Sequence, residues 1–143
     1  MKLREIMTEK VAVISPRTTL TEAARKMKEM NIGALPICDN DRLVGLVTDR
    51  DIVVRALANG SDPETTLAKD VMSSPVIYCM EDDEIEVAAD LMEEKQIRRM
   101  LIINKEKRLV GFVSLGDLAV DSKDEILAGE VIERISEPSK DAA

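Results

Sequence analysis

"RLVGLVTDRDI" occupies residues 42–52, and "RLVGFVSLGDL" occupies residues 108–118. Both stretches keep an arginine, an apolar residue, Val-Gly, an apolar residue and Val, then a hydroxyl residue with an aspartate three positions later. Working outward, Met7, Val11, Ala23, Ala24, Met27, Ile32 and Ile37 recur as Met72, Val76, Ala88, Ala89, Met92, Ile97 and Ile102, at a constant offset of 65. The turn "NKEKR" is one residue longer than "DNDR", which moves the offset to 66 for the quoted stretches. This is an internal duplication with its insertion in a turn, where insertions are tolerated.

Each copy reads as β-α-β-β-α. A short apolar strand ("VAVI", "VIYC") precedes a helix whose apolar residues fall at i, i+3, i+4 and i+7: Leu20, Ala23, Ala24, Met27, and Ile85, Ala88, Ala89, Met92. "TLTE" from Thr19 and "DEIE" from Asp83 resemble capping boxes at the helix starts. "ALPIC" with "LVGLV", and "RMLII" with "LVGFV", read as hairpins, followed by second helices through "DIVVRALA" to an Asn59-Gly60 stop and through "GDLAV". A three-stranded sheet with two helices on one face is marginal alone. The expected fold is therefore α/β, with two pseudo-symmetric repeats packed sheet to sheet. The expected division is repeat one at 1–60, the linker "SDPETT" with repeat two at 61–121, and a C-terminal helix and tail at 122–143. In that last segment Ser122 and Glu125 form the expected cap, Leu127, Val131 and Ile135 form an apolar stripe that docks on the parent domain or a sister subunit, and "SEPSKDAA" reads as a frayed tail.

The 143 residues are 45% apolar, enough for a shared core. A net charge of −8, with no histidine and with Lys and Arg scattered among carboxylates, argues against nucleic acid as a partner. No apolar run reaches membrane-spanning length and "MKLREIMTEK" lacks a signal peptide's apolar stretch, so a cytoplasmic location without a membrane partner is expected. Cys38 and Cys79 lie in apolar runs and read as buried reduced thiols, with no histidine to complete a metal site.

Thr48 and Ser114 fall where a strand ends and a helix begins, with Asp51 and Asp117 one turn in. Such a pair can simply cap the helix. The same groups also suit a nucleotide, because a helix start can hold phosphate while a carboxylate accepts both hydroxyls of a ribose. The tandem repeats ending in "GLVTDRD" and "GFVSLGD", with "IGALPI" and "IRRMLI" opening the hairpins, resemble a pair of CBS domains over about residues 3 to 121.

The resemblance implies a regulatory module, often a homodimer, that binds an adenosyl ligand such as AMP, ADP, ATP or S-adenosylmethionine in clefts between its repeats. It implies that Asp51 with Thr48, and Asp117 with Ser114, hold ribose or phosphate. It further implies that Ile97, Arg98 and Arg99 complete the Asp51 cleft, while Ile32, Gly33, Ala34 and Thr18 complete the other. Arg98 and Arg99 offer charged forked donors where Gly33 and Ala34 offer backbone and space, so the Asp51 cleft is the one expected to prefer a phosphorylated ligand. No nucleophile constellation, P-loop or histidine supports an enzyme, so no catalytic residue and no required cofactor are expected. The competing function is a ligand-free dimeric interaction module. For the sensing reading an unidentified effector protein is expected to read the change of shape, since none of the 143 residues outside the repeats reads as an effector domain.

Overall fold

The computed structural model describes residues 1–74, 76–121 and 125–138. The chain forms two compact units, one of residues 12–76 and the other of residues 1–11 with 77 onward. Each has its own hydrophobic core.

The 12–76 unit contains α1 (Leu20–Met30), β1 (Ala34–Asp39), β2 (Arg42–Thr48), a helical stretch starting at α2 (Asp49–Asp51), and the short α3 (Ala68–Val71). Thr19 caps α1 by accepting from the Glu22 N–H at 3.2 Å, the forward half of the expected box. The "SDPETT" segment is more than a linker. Its Thr66 and Pro63 carbonyls accept from the Leu20 and Thr21 N–H groups at 3.0 Å each, satisfying donors that the first turn of a helix leaves open. β1 and β2 pair antiparallel across Asn40 and Asp41, both at positive φ (51° and 68°), the backbone a two-residue hairpin requires.

The expected first strand of this unit shrinks to one parallel bridge, Ile14 to Ile37. The next bridge along the pair would need an N–H from residue 36, and Pro36 has none. Leu101 holds the matching place in the other unit, where β3 (Tyr78–Met80) pairs with β4 (Arg99–Ile103) over three residues.

The second unit continues with α4 (Ile85–Lys95), β4, β5 (Leu109–Ser114), α5 (Leu115–Asp121) and α6 (Glu125–Ser136). The cap expected at Asp83 does not form. Glu84 occupies the cap position without a side-chain bond to the helix start, while Asp83 Oδ2 accepts from the Met80 N–H at 2.8 Å and closes the turn after β3. β4 and β5 pair antiparallel with a register shift at Ile102/Ile103, the counterpart of the shift at Ile37/Cys38 in β1. Burial in this core, beside Asp83, pushes the Cys79 thiol up to about 11, so it stays protonated at neutral pH.

The apolar stripe of α6 docks on its own unit: Val131 is fully buried, with Leu127 and Ile135 packed against the same core. Gln96, just past α4, reinforces the contact by donating to the Glu137 carbonyl at 2.7 Å. This explains a difference between the copies. Ala89 on α4 is buried, but Ala24, its duplicate on α1, is exposed, because only the later helix has α6 laid over it. The expected Ser122 cap and the tail from 139 onward lie outside the described residues.

The repeated Val-Gly acquires its reason here. Residues 1–11 form a strap on the second unit, where Thr8 exchanges backbone bonds with Phe112 at 2.8 and 3.0 Å. Ser73 exchanges the same bonds with Leu46 in the first unit, at 2.8 and 3.2 Å. Each strap crosses a glycine. A Cβ on Gly111 would stand 2.7 Å from the Thr8 carbonyl oxygen, and one on Gly45 would collide with Met72 Sδ. Backbone yields less easily than a flexible methionine. Gly111→Ala is therefore expected to cost about 1–3 kcal/mol in urea denaturation, and Gly45→Ala under about 1 kcal/mol.

Candidate functional site

The hydroxyl-x-x-Asp motifs close into reciprocal pairs. The Thr48 N–H donates to Asp51 Oδ2 at 2.9 Å, and the Asp51 N–H donates to Thr48 Oγ1 at 3.0 Å. Ser114 and Asp117 repeat this at 2.8 and 3.1 Å. Each carboxylate is thus pinned at the junction of β2 with α2, or of β5 with α5, and the capping role read from the sequence is fulfilled.

The remaining N–H groups at the first junction are also engaged. Asp49 donates to the Gly33 carbonyl at 2.9 Å and Arg50 to Asp49 Oδ1 at 2.8 Å, while at the second junction Leu115 donates to the Arg98 carbonyl at 2.8 Å. The first helix start therefore has no spare N–H for the phosphate it was expected to hold. Thr48 and Ser114 serve in the structure as caps that fix their aspartates.

Within each unit the hairpin-opening segment lies beside that unit's own motif. Ala34 pairs with Thr48 and Arg99 with Ser114 across the two hairpins. A Cβ at Gly33 would stand 2.9 Å from Asp49 Oδ2, the end of an exposed side chain that can swing aside. Ile32 and Ile97 pack against the two cores at the helix ends, their N–H groups bonded to the carbonyls of Met27 and Met92. Arg98 and Arg99 are exposed, and the Arg99 guanidinium lies 5.9 Å from the centre of the Phe112 ring, a cation–π distance that steadies it on the sheet surface.

Thr18 is not brought to this group. β1 runs parallel to the Ile14 segment, which puts Thr18 past the Cys38 end and Ala34 at the opposite end. There Thr18 Oγ1 accepts from the Ser15 N–H at 3.1 Å, its carbonyl accepts from Ala68 at 2.8 Å, and it borders an open groove of about 430 Å³ with Cys38 and Asn40.

One residue that sequence reasoning missed belongs to the Asp51 motif. Arg55 Nε stands 3.7 Å from Asp51 Oδ1, while its Nη1 donates to the Val71 carbonyl at 3.3 Å. The i, i+4 spacing of an acid and a base on a helix was the available signal.

The family model described as "CBS domain" matches twice, over residues 3–57 and 68–122. The chain is 40% identical over 134 residues to CBS domain-containing protein YhcV of Bacillus subtilis, covering 94% of both chains. It is 45% identical over 117 residues, 81% of each chain, to Hypoxic response protein 1 of Mycobacterium tuberculosis. A crystal structure of Hypoxic Response Protein I with two coordinated zinc ions matches at a TM-score of 0.76 with 43% identity, over 83% of this chain and 97% of that one. CBS domain protein PAE2072 from Pyrobaculum aerophilum, complexed with AMP, matches at 0.75 with 25% identity, over 93% and 99%. This chain has no histidine, and among the described residues no three acidic or thiol groups gather as metal ligands. With both copies matched and relatives aligned over most of its length, the chain belongs to the CBS domain family as a tandem pair.

Proposed function

We propose that this protein is a non-catalytic cytoplasmic sensor that binds an adenosyl ligand through Asp51 and Asp117 and signals to another protein. The observation that carries the reading is the state of the Asp51 carboxylate. Its side chain is 13% exposed and held by Thr48, yet among the described residues Oδ1 faces only a guanidinium at 3.7 Å, beyond hydrogen-bond length, so its lone pairs suit the hydroxyls of a ribose. The AMP bound by PAE2072 supports this choice of ligand. The family pattern assigns Ile97, Arg98 and Arg99 to the ligand of Asp51, and Ile32, Gly33 and Ala34 to that of Asp117.

The test is a mass spectrum of small molecules released from the purified, denatured protein, with a thermal-shift series in AMP, ADP, ATP and S-adenosylmethionine. A ligand at a hundred times its dissociation constant adds about 2.7 kcal/mol of stability, which raises the melting temperature. No released nucleoside and no shift would defeat the proposal. The closed caps would then favour the second reading, a ligand-free interaction module, since both motifs are satisfied without a ligand.

We further propose a homodimer. The α6 stripe, which sequence reading offered as one docking surface, is spent inside its own unit, so support comes from elsewhere. Val53, Val54 and Leu57, after α2, are 55%, 46% and 54% exposed. Light scattering at micromolar concentration is expected to give twice the chain mass, and a monomer at every accessible concentration contradicts it.

A further inference from the structure

Arg55 departs from the symmetry of the duplication. At the offset of 66 its counterpart is Asp121, so the same place beside the ribose carboxylate carries a positive charge in the first copy and a negative one in the second. Its backbone also differs. Residues Ile52–Ala56 form a π-helical turn, whereas Leu115–Asp121 is an ordinary α-helix. π-turns within helices are frequently found at functional sites.

Three facts define what Arg55 can do. The Val71 carbonyl, at the end of α3, accepts from Nη1 at 3.3 Å and so fixes the guanidinium. Nε faces Asp51 Oδ1 at 3.7 Å, close enough to offset the charge but too far to occupy the lone pairs. The Arg55 side chain is 55% exposed, so its field reaches the solvent beside Asp51. An uncompensated carboxylate would repel an anionic ligand while accepting its hydroxyls.

We infer that Arg55 is a specificity-determining residue: by compensating Asp51 without consuming it, Arg55 admits phosphorylated adenosine where a bare aspartate would favour the uncharged nucleoside. The inference rests on the adenosyl reading above. A nucleotide's phosphate is one ribose away from the diol, within the Debye length of about 8 Å, so Arg55 acts on it through space.

Calorimetry on the full chain would compare the parent, Arg55→Gln and Arg55→Lys, each titrated with AMP and with adenosine at low and high salt. Arg55→Gln is expected to weaken AMP about three- to tenfold and adenosine less than about twofold, with the AMP loss fading at high salt. Arg55→Lys restores the preference for AMP, because it restores the charge. Equal weakening of both ligands would make Arg55 a support of the fold, and an unchanged AMP-to-adenosine ratio would deny it any role in selection. Either outcome overturns the inference while leaving the adenosyl site standing. A parent that binds neither ligand removes the adenosyl reading, and this inference with it.

Discussion

Leu3→Ala is expected to lower the stability of the unit that joins residues 1–11 to 77 onward by about 3–5 kcal/mol. Leu3 is fully buried in the same core as Ile85, Met92, Met100 and Leu118. Its surroundings cannot close over a cavity easily, because the chain on either side is tied down. The Leu3 and Arg4 N–H groups donate to Asp83 and Glu81 at 2.9 and 3.1 Å, the Ile85 N–H donates to the Met1 carbonyl at 3.0 Å, and Arg4 pairs with Asp82. Urea denaturation measures the loss, and hydrogen exchange locates it in β3, β4 and α4. Met30→Ala, at a 50% exposed side chain, is the control and should fall within about 0.5 kcal/mol of the parent. A Leu3→Ala loss of the same size as the control would mean that the strap contributes little to this unit.

The second large effect concerns the ligand. Asp51→Ala would confuse two roles, since it also removes a cap worth about 1 kcal/mol. Asp51→Asn separates them: the amide oxygen can still accept from the Thr48 N–H, so the fold is kept, while the charged acceptor for a ribose hydroxyl is lost. A hydrogen bond to a charged group is worth about 1.5–3 kcal/mol, so AMP and adenosine should both weaken more than tenfold. The parent should also prefer AMP to 2′-deoxy-AMP by a similar factor, and that preference should collapse in Asp51→Asn. Replacing Arg98 and Arg99 together with alanine should instead weaken AMP far more than adenosine, because guanidinium groups meet phosphate. If the parent binds both sugars equally, Asp51 is a helix cap and nothing more.

Much of the fold was legible because its signals are local. The 3.6-residue spacing of Leu20, Ala23 and Met27, the apolar hairpin stretches that become β2 and β5, and the left-handed stop at Gly60 all depend on neighbours in sequence, and all appear where expected. The duplication and the hydroxyl-x-x-Asp motifs could likewise be found by sliding the chain against itself. Long-range packing left no such trace. That Ala24 is exposed while Ala89 is buried depends on α6, more than thirty residues from Ala89 in sequence. That Val-Gly is kept twice depends on straps arriving from elsewhere in the chain to cross each glycine.

The candidate site divides in the same way. The amino-acid sequence by itself determined which residues could cap a helix and accept a ribose, because that is a property of side-chain type and spacing. Only the tertiary structure decided which of those groups remain usable. It engaged the helix-start N–H groups of Asp49 and Arg50 with the Gly33 carbonyl and the Asp49 carboxylate, set Thr18 past the Cys38 end of β1, and placed Arg55 at 3.7 Å from Asp51 by anchoring it to the end of a helix sixteen residues away. Hydrogen-bond capacity is consumed by whatever lies nearest in space, and proximity in space is fixed by packing, which no short stretch of sequence records.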